Sequence, residues 1–172
     1  MESSVLESEE VVLTMDVREQ GLIAYCNEKS IPIKTVSLDV GDILLTKSTE
    51  NLVFERKTVA DLAASITDGR YREQKQRLKS TYPFHRITYI IEGKLTSDKS
   101  LMSAIISSSY RDGFHLIRTA NIAETVWYIT EIQERMKNGK TDFNPENGDY
   151  VSSIKAKTKK SENLTPDVSA RK

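Results

Sequence analysis

One cysteine, Cys26, in 172 residues leaves no partner for an internal disulfide and no thiol cluster of the kind a cysteine-based zinc centre needs. The two histidines, His85 and His115, are too few for a histidine-rich metal site. These three side chains read as ordinary packing or surface positions. No stretch approaches about 18 consecutive apolar residues, so no membrane-spanning helix is predicted. The acidic opening Met1-Glu-Ser-Ser-Val-Leu-Glu lacks the basic-then-apolar order of a secretory signal, and an intracellular setting is the expectation. Net charge is also missing: 25 basic residues balance 25 acidic ones, which argues against coating nucleic acid by bulk charge. Apolar residues make up only 38%, which predicts polar tails around a smaller core.

What is present is unevenly placed. Residues 1–10 hold four Glu and no basic residue. Residues 69–86 hold Arg70, Arg72, Lys75, Arg77, Lys79 and Arg86 against Glu73 alone, six positive charges less one, a local +5. From Lys155 onward, Lys155, Lys157, Lys159, Lys160, Arg171 and Lys172 face only Glu162 and Asp167, among Ser and Thr with little apolar content. The organisation expected is an acidic N-terminal tail over 1–10, one domain over 11–140, and a basic, disordered tail or linker over 141–172.

Within 11–140, strand-length apolar runs alternate with helical patterns, as in an α/β layered domain. Strands are predicted at Val11 to Val17, Lys34 to Leu38, Asp42 to Thr46, Leu52 to Lys57, Arg86 to Ile91 and Phe114 to Arg118. The second, third and fourth of these read as a meander. Helices are predicted at Leu22 to Glu28, Val59 to Ile66, Arg72 to Ser80, Leu101 to Ser109 and Ile122 to Asn138. The last has the clearest ends, with Asn121 to cap it, Glu124 three residues on and Gly139 beyond it. Ile122, Val126, Ile129, Ile132 and Met136 fall on one stripe at 100° per residue, and Trp127 points away from it. An off-stripe indole is either a subunit-interface residue or a Trp resting on its own surface.

Chemistry concentrates in Gly41-Asp42, in Glu55-Arg56-Lys57 and in Asp61. Residues i and i+2 of a strand share a face, so Glu55 and Lys57 project together and Arg56 leaves on the other side. A short connection between the strands over 42–46 and 52–57 would set the Asp42 carboxylate near Glu55. Two carboxylates beside an ammonium suit a hard divalent ion such as Mg²⁺ or Mn²⁺, which keeps several waters and takes phosphate oxygens as further ligands. Such an ion lowers the pKa of a water and neutralises charge on a phosphodiester under attack. Lys57 would then stabilise that charge or accept the water's proton. The plain alternative is a surface hairpin with a cross-strand Glu and Lys pair.

The whole line of motifs narrows this. Asp16-Val-Arg18-Glu19, then Gly41-Asp42, then Phe54-Glu55-Arg56-Lys57-Thr-Val-Ala-Asp61-Leu62, then Asp68-Gly69-Arg70-Tyr71-Arg72-Glu-Gln74 and Ile90-Ile91-Glu92-Gly93 closely resemble the XPF-type nuclease domain of structure-specific DNA endonucleases. The signature of that family is Gly-Asp, a variable gap, then Glu-Arg-Lys-x-x-x-Asp. The resemblance covers about residues 11–140. It implies a restriction-endonuclease-like core with a central mixed sheet flanked by helices. It also implies magnesium-dependent hydrolysis of one strand near a branch, flap or junction, in DNA repair or recombination, with Mn²⁺ able to substitute. A homodimer, or a heterodimer with a related subunit, is implied as well. The setting would be wherever that DNA is, the nucleus in a eukaryotic cell or the replication site of a virus.

Residue by residue, Asp42 and Glu55 match the family's metal-binding carboxylates, Lys57 its catalytic lysine, and Asp16 an acidic position lining the same site, which makes it a further catalytic and metal-binding candidate. For Asp16 a turn-forming role is the alternative. Arg56 matches a residue required for activity, or anchors the local fold through an ion pair. Asp61 matches the last signature acid and also completes a capping box with Thr58. Arg18, Arg70, Arg72 and Lys75 are candidates for gripping phosphates near the cut. Members of the family usually continue into a tandem helix-hairpin-helix domain, and none is visible before Lys172, so weak DNA binding is expected of this chain alone. The rival expectation is a subunit that keeps the fold without catalysis and serves as a DNA-binding or scaffold partner.

Overall fold

A computed structural model of the chain describes residues 10–48 and 50–139. The expected tails over 1–10 and 141–172 lie outside the described residues, except for Glu10. The elements in order are β1 (Val12–Asp16), α1 (Gln20–Glu28), β2 (Lys34–Val36), β3 (Ile43–Lys47), β4 (Glu50–Thr58), α2 (Val59–Thr67) and α3 (Arg70–Thr81). They continue with β5 (Ile87–Glu92), α4 (Lys99–Ile106), a π-turn over Ser107–Arg111, β6 (His115–Thr119) and α5 (Ile122–Lys137). No helix among the described residues is long and apolar enough to cross a membrane.

Six strands form one mixed sheet in the order β2-β1-β3-β4-β5-β6. The β3–β4 hairpin forms as its alternation predicts, with Ile43 opposite Phe54 and Leu45 opposite Leu52. The meander from β2 into β3 does not form. Helix α1 carries the chain across the sheet, so β2 returns parallel to β1 on its outer side, and β3 pairs antiparallel with the inner side of β1. A strand–helix–strand crossover favours this return, and the N–H of Val17 donates to the Val36 carbonyl at 3.1 Å to extend it. β4, β5 and β6 run parallel, Glu55 lying opposite Tyr89 and Thr58 opposite Glu92.

Helices cover both faces. α1 packs on α5, which lies over β3, β5 and β6, while α2 packs on α3 and α4 and lies over β4 and β5. β5 is buried at every position, as a central parallel strand must be. Around it the core gathers Val53, Leu62, Tyr71, Leu78, Tyr89, Leu101 and Phe114. The Tyr89 and Phe114 rings stack at 5.5 Å. α5 starts where its sequence says: the Asn121 side chain accepts the Glu124 N–H at 2.9 Å, and the Glu124 carboxylate accepts the Ala120 N–H at 3.0 Å. Val126, Ile129 and Met136 are buried, Ile122 and Ile132 are partly so, and Trp127 stands 66% exposed. α4 begins earlier than its apolar residues suggest, because the Asp98 side chain caps the N–H groups of Ser100 and Leu101.

Candidate active site

Backbone hydrogen bonds tie the end of β1, the approach to β3 and the middle of β4 together. The Asp16 N–H donates to the Asp42 carbonyl at 2.9 Å, and the Asp42 N–H donates to the Phe54 carbonyl at 2.9 Å. Gly41 makes the approach to β3, with φ +83°, where a Cβ would run into the Val53 side chain. Only glycine enters that turn without strain. The Asp42 side chain then reaches across to β4, its Oδ2 accepting the Arg56 N–H at 2.8 Å. Glu55 sits one residue before, and Lys57, on the same side of the strand, holds its Nζ 3.8 Å from Glu55 Oε1.

These side chains open on a cleft of about 640 Å³ lined by Asp42, Glu55, Arg56, Lys57 and Asp61 from the expected set. Arg18 and Arg70 line it too, and so do Glu19, Gln74 and Arg77, to which the sequence reading gave no catalytic or binding role. The electrostatics of the acids are unusual. Burial raises the carboxyl pKa of Glu55, and the negative charge of Asp42 adds to the rise, while Lys57 opposes it. Burial likewise pushes Asp42 up, against the Arg56 N–H and the charge of Lys57. Glu19 is pushed up to about 7, first by burial and then by Asp42, with Arg56 opposing. Burial is the first cause of all three rises, and the acids add to one another, so not all of them ionise readily in this shared space.

Asp16 does not line this cleft. Its Oδ1 accepts the backbone N–H and the Nε–H of Arg18, both at 2.8 Å, and its Oδ2 accepts the Leu38 N–H at 2.9 Å. Those hydrogen bonds, that of the Arg18 side chain foremost, hold its pKa down to about 2. This is the turn-forming alternative: Asp16 pins β1 to the segment after β2 and positions Arg18. Arg56 leaves on the other side of β4 as the pleat predicts, and clamps Glu92 at 2.6 and 2.9 Å and Glu19 at 2.9 Å. It therefore joins the fold-anchoring reading to the cleft, since Glu19 is one of the cleft acids. Thr58 caps α2, its Oγ1 accepting the Asp61 N–H at 3.1 Å, and the exposed Asp61 lines the cleft.

The basic stretch divides. Arg70 faces the cleft, paired with Asp68 at 2.7 Å, and Arg77 joins it there, donating to the Asp39 carbonyl at 2.9 Å. Lys75 and Arg72 do not. Lys75 is buried under the helix at 6% exposure, 2.7 Å from Asp112 and above the Tyr71 ring, because a buried acid 37 residues later draws it inward. Arg72 is exposed on the opposite flank of α3. Glu19 and Arg77 had sequence signals, membership of the Asp-x-Arg-Glu motif and of the +5 stretch, but only the folded crossover and helix direct them into one space.

Among the described residues no group of three or more Asp, Glu, His or Cys side chains forms a ready-made metal cage. The donor set nonetheless fits a hard divalent ion. Asp42, partly buried, and Glu55, buried, are adjacent acids that burial pushes up, and Mg²⁺ typically takes one or two protein carboxylates and fills its octahedron with water and phosphate oxygens. The open cleft, with Lys57, Arg18, Arg70 and Arg77 around those acids, leaves room for a phosphate to complete it.

The fold that presents this site is a restriction-endonuclease-like core: a six-stranded mixed sheet between helical layers, with acids gathered at one strand end. A family model described as the ERCC4 domain matches residues 15–132, which is most of the chain, and the chain belongs to that family. It is 34% identical over 139 residues to the crossover junction endonuclease MUS81 of Oryza sativa subsp. japonica, an alignment over 70% of this chain and 21% of that protein. It is 39% identical over 98 residues to the structure-specific endonuclease subunit MUS81 of Rattus norvegicus, covering 52% of this chain and 18% of that one. The chain thus spans about a fifth of the length of these curated relatives. Among solved structures it resembles XPF from Aeropyrum pernix in complex with DNA, with TM-score 0.61 and 26% identity over 76% of this chain and 67% of that one.

Proposed function

We propose that residues 11–140 form the nuclease unit of a divalent-metal-dependent DNA endonuclease that cuts one strand near a branch, flap or junction, in repair or recombination. The observation that carries this reading is the convergence of Asp42, Glu55 and Lys57 in an open polar cleft ringed by Arg18, Arg70 and Arg77. Membership of the ERCC4 domain family and likeness to endonucleases named for crossover junctions and specific structures support it.

In this mechanism Asp42 and Glu55 would hold Mg²⁺, with Mn²⁺ as a substitute, and the ion would supply there a water of lowered pKa and neutralise charge on the phosphodiester. Arg56, through its backbone N–H, fixes the Asp42 carboxylate, and through its guanidinium fixes Glu19 at the cleft wall. Lys57 directs its ammonium at the phosphate and stabilises the charge that builds in the transition state. Arg18, Arg70 and Arg77 grip flanking phosphates, which sets register without reading sequence. Asp16 acts one step back, by holding Arg18 in place.

A dimer completes the reading, either of two copies or with a related nuclease-fold subunit, with the exposed Trp127 as a contact residue. The word subunit in the name of the rat relative supports assembly. For a eukaryotic source the place of action would be the nucleus. Labelled flap, fork and nicked-junction DNA incubated with the chain and its Lys57→Ala variant, in Mg²⁺, Mn²⁺ or EDTA, tests the proposal. Nicking near the branch that needs metal and falls by about 100-fold or more in the variant is expected, on the scale of losing one charge-stabilising group. Folded wild-type protein that cuts nothing in either metal, with or without a related subunit, would refute it.

A further inference from the structure

The cleft uses one flank of α3 only. Tyr71, Lys75 and Leu78 form the buried line of the helix, and Arg70, Gln74 and Arg77 lie on the side toward Asp42 and Glu55. Arg72, Gln76 and Lys79 lie on the other flank, about 180° from the cleft-facing set at 100° per residue. There they meet Arg111 of the π-turn across a second cavity of about 370 Å³.

Its charge is strongly one-sided. Among the described residues Asp112 is its sole acidic lining residue, and it is already engaged by Lys75 at 2.7 Å and Lys79 at 3.1 Å. Arg72, Lys75, Lys79 and Arg111 against Asp112 leave four positive charges less one, an excess of three. Arg72 forms no ion pair among the described residues, and Arg111 comes no nearer than 3.9 Å to Asp112, so both guanidiniums have donors to offer. Arg72 and Arg111 also border a cavity of about 470 Å³, which adds Lys99 and the hydroxyls of Ser100, Ser103 and Ser107 and, among the described residues, no acid. Guanidinium forks and hydroxyls along a groove made of two cavities that share Arg72 and Arg111 are the donor set that phosphodiester oxygens take.

We infer that this groove between α3 and α4 holds the phosphate backbone of a second arm of the DNA whose scissile strand lies in the cleft, so that a branched substrate straddles α3. The inference rests on the DNA reading of the cleft and adds the arm that a branched substrate has and a linear one lacks.

The test is fluorescence anisotropy of the full chain at low salt in EDTA, where nothing is cut, with a three-arm DNA and a linear duplex of matched length. An Arg72→Ala/Arg111→Ala variant is expected to weaken three-arm binding by about 10-fold and to lower the slope of log affinity against log salt by roughly 2, the value for two lost phosphate contacts. Its affinity for the linear duplex should change less than about 2-fold. The Arg70→Ala/Arg77→Ala pair should weaken both DNAs. Arg72→Glu alone, at an exposed position, gives the same readout should the double variant fold poorly. Three-arm binding unchanged in the groove variant, or equal weakening of both DNAs, overturns the inference while leaving the cleft reading intact. Wild-type protein that binds neither DNA overturns both.

Discussion

Asp112 and Glu55 are both buried carboxylates, at 7% and 6% exposure, each with a lysine beside it, yet their surroundings move them in opposite directions. Around Asp112 burial pushes the pKa up, and the ion pairs with Lys75 at 2.7 Å and Lys79 at 3.1 Å outweigh it, holding the carboxyl below its ordinary range. Around Glu55 burial pushes the same way, but the neighbour added is another acid, Asp42, and Lys57 stands off at 3.8 Å. A buried charge in contact with opposite charge holds the fold together. A buried acid crowded by a second acid is held at a cost that a cation would relieve, and that tension marks the site.

The strongest way to break the comparison is at its structural end. Lys75→Met leaves Asp112 buried with Lys79 at 3.1 Å and Arg111 at 3.9 Å, and should destabilise the chain by about 3 kcal/mol, typical for cutting one partner from a buried pair. Urea unfolding measures it, and adding Asp112→Asn should restore much of the loss, since the stranded charge goes with it. Next comes Arg56→Ala, which releases Glu92 and Glu19 together. A loss of roughly 2–4 kcal/mol is expected, together with a fall in cleavage that exceeds the fraction unfolded. A change under about 0.5 kcal/mol, the level of an ordinary surface substitution, would mean the clamp is not structural.

The pH dependence sharpens the contrast through its sign. In the metal-free protein Glu19, at about 7, and Glu55, also raised, bind protons in the folded state that the unfolded chain has released above its ordinary 4.5. Stability should therefore fall as pH rises from about 5 to 8, by about 1–2 kcal/mol, because the folded state binds more protons across that window. Asp16 behaves oppositely: its pKa of about 2 lies below the ordinary 3.8, so its contribution is complete above about 4 and is lost as pH falls toward 2. Urea midpoints at pH 5 and pH 8 in EDTA check the first limb, and Glu55→Gln should flatten it. The smallest effect belongs to a position remote from both clusters. Asn121→Ala removes the α5 cap and should cost about 1 kcal/mol at every pH.

Local order was legible in the sequence. The period-2 pattern correctly sent Glu55 and Lys57 one way and Arg56 the other, and both the Thr58 and Asn121 caps form as their neighbours predict. What the sequence hid was pairing across distance. Lys75 looks like an exposed cation until Asp112 folds against it, and Glu19 has no visible partner until β4 brings Arg56 alongside. Asp16 carries the right charge at the right strand end, but its oxygens are taken by Arg18 and by Leu38, which lies 22 residues away. The meander misread β2 because strand patterns carry no direction, and direction came from how α1 crosses the sheet.

Thermal melting of the wild type and of Glu55→Gln, each in EDTA and in Mn²⁺, tests most directly the claim that the cleft acids are held for a cation. In EDTA at neutral pH the variant should melt higher, by about 4 °C for each 1 kcal/mol of relieved repulsion in a domain this size. Mn²⁺ should raise the wild type and leave the variant nearly unmoved, since binding to the folded state alone stabilises by mass action. A variant that melts lower than the wild type in EDTA, or an equal rise in both proteins with Mn²⁺, would contradict it.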